Sequence, residues 1–98
     1  MAKVIYEDEK IRISDCHRDY DMVAYVENKT YETMTFAVDM EHIPEGMEWF
    51  TEVNGEDATF VVKPRDWTGF LMDDENLFWL HQIVGKYAPD YKFEWEYE

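Results

Sequence analysis

Apolar and polar residues alternate most regularly at the end of the chain. There Tyr91, Phe93, Trp95 and Tyr97 fall on one side, and Lys92, Glu94, Glu96 and Glu98 on the other. Side chains on an extended strand switch faces at every residue, so the pattern predicts a strand with one buried and one wet face. Burying four aromatics is worth a gross upper bound of roughly 15–25 kcal/mol, so this stretch is expected to be part of the core.

Two-residue alternation also organises the first half. Lys3 to Tyr6 and Lys10 to Ser14 read as two strands around the polar turn Glu7-Asp8-Glu9. Asp15 to Asp21 is polar and predicts a turn-rich connection. Met22 to Val26 is continuously apolar, as in an interior strand buried on both faces. Asn28-Lys29-Thr30 is expected to turn it back into a long hairpin with Tyr31 to Met40, whose inward face is Met34, Phe36, Val38 and Met40. A loop from Glu41 to Gly46 precedes a second hairpin, Met47–Val53 with Glu56–Lys63, joined at Asn54-Gly55. Asn-Gly tolerates the positive φ angles of a type I′ turn, and Pro64 ends the pairing.

The period changes at residue 74. Leu77, Leu80, Val84, Tyr87 and Ala88, with Phe78 and Ile83, follow helical spacing. Asp73 or Asp74 supplies the cap, Asp74 and Glu75 lie at the positive end of the dipole, and Lys86 lies near the negative end. Arg65 to Met72 fits either a tight loop or a helical turn. The order β-β-β-β-β-β-α-β predicts an α+β fold: a curved antiparallel sheet of five to seven strands with one helix packed on it. A partly closed small barrel is the alternative.

Length confines this pattern to a single domain over residues 1–98. No apolar run is long enough to cross a bilayer, and Met1-Ala2-Lys3 leads straight into strand pattern, so no signal peptide is expected. With Cys16 the only cysteine, no intramolecular disulfide can form. The expected location is the cytoplasm.

Candidate chemistry is sparse. The four glycines make no phosphate-cradling loop, and Ser14, the only serine, sits in no nucleophile elbow. Asp15-Cys16-His17-Arg18-Asp19 gathers a thiol, an imidazole and carboxylates. Neighbours on an extended chain face opposite ways, though, and the spacing matches no zinc pattern. His42 beside Glu41 and Glu45 fits an exposed acidic loop, and His81 a helix rim. Asp73-Asp74-Glu75-Asn76 lacks the glycine and distal glutamate of a calcium loop, so it fits a helix cap. The reading is of a protein that is not an enzyme and has no metal or cofactor.

Charge changes the picture. The chain carries 23 acids against nine Lys and Arg, a net charge of −14. Residues 21–60 hold ten of those acids and one base, Lys29, so nine of the excess negatives lie in forty residues. Such a surface repels nucleic acid and anionic lipid, and it suits a partner with a basic surface. Carboxylates beside exposed aromatics can compete for a channel built to follow phosphates and stack bases. The expectation is therefore a small acidic inhibitor, a nucleic-acid mimic in the basic groove of a nucleic-acid-handling protein. Size, acidity and want of a catalytic motif match the profile of phage-encoded anti-defence proteins, such as anti-CRISPR and anti-restriction inhibitors, although no stretch matches a particular family. The alternatives are an immunity protein or antitoxin neutralising a basic nuclease toxin, and a small-ligand-binding domain. The partner-binding residues expected are Glu45, Glu48, Glu52, Glu56 and Asp57, with Glu48 and Glu52 on one strand face.

Overall fold

A computed structural model describes residues 2–39, 43, 45, 46, 48 and 59–94. The elements run β1 (Lys3–Glu7), β2 (Ile11–Asp19), β3 (Met22–Asn28), β4 (Met34–Ala37), β5 (Thr59–Val62), β6 (Trp67–Leu71) and α1 (Asp74–Tyr87). The fold is α+β and antiparallel. Its strands form two sheets: a four-stranded one in the order β1-β2-β3-β6, and a two-stranded one of β4 and β5. This corrects the expected single sheet, and the larger sheet is not closed into a barrel.

β1 and β2 form the expected hairpin. Its turn is fastened by Asp8, whose carboxylate accepts from the backbone N–H groups of Lys10 (2.7 Å) and Ile11 (2.9 Å). β2 continues beyond Ser14 through the stretch expected to be a polar connection, reaching Asp19 before pairing back on β3. It can do so because its polar residues are buried or kinked. Asp15 is fully buried, and the ladder shifts register between Asp15 and Asp19. His17 and Arg18 take positive φ of 52° and 57° in that bulge, and Tyr20 and Asp21 (52° and 78°) make the two-residue turn.

The long hairpin expected between Met22–Val26 and Tyr31–Met40 does not form. β3 pairs with β2 and β6, while β4 pairs with β5, Met34 opposite Val62 and Phe36 opposite Phe60. Asn28 diverts the chain. Its fully buried side-chain amide donates to the carbonyls of Glu32 (2.7 Å), Val62 (3.2 Å) and Lys63 (3.2 Å), and its Oδ1 accepts from the Thr30 N–H (2.9 Å). One amide thus holds the start of the small sheet against its second strand. Arg65 completes the junction, donating to the Lys29 carbonyl at 2.6 Å and lying over the Tyr31 ring at 5.2 Å.

α1 begins where expected, with Asp73 accepting from the Asn76 N–H at 2.9 Å. It is buried more widely than the predicted stripe. Phe78, Trp79, Leu80, Gln82, Ile83 and Val84 are all buried, because the helix touches both sheets. Trp79 meets Phe60 of β5, and Tyr87 meets Phe36 of β4 and Tyr6 of β1. Gln82 is satisfied there by accepting from the Asp39 N–H at 2.7 Å.

The expected C-terminal strand is corrected over its described part. Residues 91–94 are not strand, although Tyr91 and Phe93 face inward and Lys92 and Glu94 outward. The Tyr91 hydroxyl donates to the Asp15 carboxylate at 2.5 Å, anchoring this segment by a side chain in place of a ladder. Trp95 to Glu98 lie outside the described residues, as do most of the second hairpin's first arm and its Asn54-Gly55 turn. Among described residues no helix is long and apolar enough to cross a membrane.

Candidate functional site

The helix and the small sheet bury one face of the four-stranded sheet. Alternation carries every second residue to the opposite face, and cross-strand register arranges those residues in rows. Glu7, Arg12, Glu27 and Trp67 are successive partners in one row, and Val4, Ser14, Tyr25 and Gly69 in the next. Met22 pairs with Leu71 beyond them.

The first row is an ion-pair chain. Arg12 donates to Glu27 at 2.7 Å and stands 3.9 Å from Glu7, which also takes Lys29 at 3.0 Å. The Glu27 bond holds the Arg12 guanidinium above its ordinary pKa. Two buried polar atoms on this face, Arg12 Nε and Ser14 Oγ, have no hydrogen-bond partner.

The remainder of the face is apolar and open. Cys16, Met22, Tyr25, Glu27 and Trp67 line a groove of about 350 Å³. Ala2, Cys16, Asp19, Tyr20, Met22 and Leu71 line a second of about 310 Å³, and shared Cys16 and Met22 make the two continuous. Trp67 is 55% exposed, Leu71 49% and Tyr20 95%. The rings of Tyr25 and Trp67 meet edge to face, 6.1 Å apart at 68°, so they form an open corner. Gly69 lets two of the lining side chains pack over it: a Cβ there would stand 3.1 Å from Met22 Cε and 3.5 Å from Trp67 Cζ3.

Cys16 lies at the junction of the grooves as a thiol. Burial first, and then the neighbouring Asp15 carboxylate, raise its pKa, which disfavours the thiolate that nucleophilic attack or metal ligation needs. Asp15 points to the other face, where it accepts from the His17 N–H (2.8 Å) and from Tyr91. The His17 ring is 3.9 Å from that carboxylate and exposed. His81 packs edge-on to Phe93, and Asp73 caps the helix. Among the described residues, no three His, Cys, Asp or Glu are grouped to hold a metal ion.

Of the expected partner-binding acids, Glu45 and Glu48 are described and both are exposed. Glu48 has helical backbone and accepts from the Gly46 N–H at 3.0 Å, so the strand expected from Met47 does not include it. Glu52, Glu56 and Asp57 lie outside the described residues. The apolar corner was missed in sequence. Tyr25 sits inside a run that reads as wholly buried, and Trp67 and Gly69 in a stretch that reads as a loop or helical turn. Pairing of β3 with β6 is what joins them.

No family model, curated protein or solved structure matches the chain.

Proposed function

We propose that this chain is a small acidic protein-binding inhibitor that occupies the basic groove of a nucleic-acid-handling protein as a nucleic-acid mimic. The observation that carries this reading is how the few bases are used. Arg12 is held by Glu27 and Glu7, Lys29 by Glu7 and the Asp8 carbonyl, and Arg65 by the Lys29 carbonyl and the Tyr31 ring. Three of the nine bases thus serve the junction of β1, β2 and β3 with the small sheet, and 23 acids against nine Lys and Arg leave an excess of negative charge that pairing within the chain cannot cancel. Repulsion among those acids costs stability, and a basic partner would relieve it. The open aromatic face adds groups able to occupy a base-stacking platform. The anti-defence profile fits this chemistry, and the same chemistry serves an antitoxin against a basic nuclease.

The test is charge reversal read on partner binding. Glu48, Glu52 and Glu56 changed to Lys should weaken binding about a hundredfold or more while leaving the fold intact, with association slowed most. Glu7 and Asp8 are unsuitable controls because they fasten the first hairpin and its ion pairs. Exposed Glu9, Glu32 and Asp90 serve better. Equal weakening by both sets would mean that only net charge matters. No weakening by either would remove the inhibitor reading.

A further inference from the structure

We propose that the Tyr25–Trp67 corner binds an arginine or lysine side chain presented by a basic segment of the partner protein. The inference rests on the reading above and deepens it by naming a docking face built from residues other than the acids of residues 45–57. A cation is attracted to the negative faces of aromatic rings, and the Tyr25 and Trp67 rings stand at 68° to each other on the wall of one groove. Trp67, the stronger of the two ring types for this contact, is more than half exposed. Glu27, itself paired with Arg12 at 2.7 Å, stands beside it as its cross-strand partner, and Asp19 lines the adjoining groove. Among the described residues, no Lys or Arg lines either groove. Gly69, having no Cβ, lets Met22 and Trp67 pack over the strand beside the corner.

Charge selects the occupant. A second copy of this chain would bring another −14 to the interface, and a nucleic acid would bring phosphates. A basic protein segment is the occupant whose charge complements the chain and whose side chains fit the corner. Methylene stems of Lys or Arg would lie along Met22 and Leu71 while the head meets the rings.

The test is an NMR titration of the folded chain with an acetylated tetra-arginine amide, in parallel with the neutral isostere tetra-citrulline amide, at about 0.15 M salt, where the Debye length is about 8 Å. The Trp67 indole N–H and the Tyr25 and Gly69 amides should shift saturably with tetra-arginine and hardly with tetra-citrulline. Trp67→Ala should weaken tetra-arginine binding about tenfold, the equivalent of about 1.4 kcal/mol. Gly69→Ala, whose Cβ would press on Met22 and Trp67 and shift the corner while keeping both rings, should weaken it in the same direction. Each variant is first shown to keep the native amide spectrum.

Equal binding of the citrulline peptide would make the occupant apolar and overturn the proposal. Shifts at these residues that grow with protein concentration in the absence of peptide would point to a second copy and overturn it too. Unchanged tetra-arginine affinity in Trp67→Ala, with shifts gathered at Glu45 and Glu48, would overturn the corner and leave the acidic-inhibitor reading standing. Absence of any binding would also overturn the corner, and the reading itself would then be decided by the charge-reversal experiment.

Discussion

Two buried polar side chains hold this fold together where apolar packing does not. Asn28 satisfies three carbonyls, two of them more than thirty residues away at the end of β5 and just past it. Its replacement by Ala would strand these groups, and buried unsatisfied groups cost about 1–3 kcal/mol each. Denaturant unfolding of Asn28→Ala should show a loss of about 2–3 kcal/mol; a change below about half a kcal/mol would mean that water replaces the amide. Asp15 plays the corresponding part for the C-terminal segment through Tyr91. Burial, and then the bond to Asp15, raise the Tyr91 pKa well above its ordinary value of about 10. A raised pKa favours the protonated fold, so this contribution is complete below about pH 10 and is lost as pH rises beyond it. Thermal melts from pH 8 to 12 should show a steep fall for the native chain and a shallower one for Tyr91→Phe. Neither role was legible in sequence. An Asn before Lys-Thr reads as a turn residue and an Asp before Cys-His as a polar loop, because their partners are remote.

At the scale of elements, legibility followed locality. The first hairpin and the helix, with its Asp73 cap, are specified by neighbours a few residues apart, and both lie where the pattern placed them. Pairings between distant strands were not legible. The faces of β4 were read correctly, with Phe36 buried, but its partner was not, since alternation fixes which side chains point inward and says nothing of the adjoining strand. The same holds for Tyr91 and Phe93, whose alternation survives in residues 91–94 although these are not strand. That segment and α1 are expected to carry much of the stability. Leu80→Ala should cost about 2–5 kcal/mol and Phe93→Ala about 3–5, both residues being at most 1% exposed. Equilibrium unfolding is the check, and losses under about half a kcal/mol would mean that the helix or the segment is not packed as described.

The whole molecule is governed by an excess of acids that no internal arrangement neutralises. Screening should therefore stabilise it, the melting temperature rising as salt goes from about 10 mM to 150 mM and the Debye length shrinks from about 30 Å to 8 Å. Binding of the proposed partner should respond in the opposite sense, since the same charges would steer it. The candidate groove exists only at this scale, because it needs β2, β3 and β6 side by side. Its residues are scattered through a chain whose charge pattern points to a different stretch. The proposed function has one direct consequence: the partner's nucleic acid and this chain should not be bound together. The direct test is to capture the partner from nuclease-treated lysate, load it with labelled nucleic acid, and titrate in the chain. Displacement reaching completion near one equivalent, and weakening as salt rises, is the expected result. A stable ternary complex holding partner, chain and nucleic acid together would contradict the account.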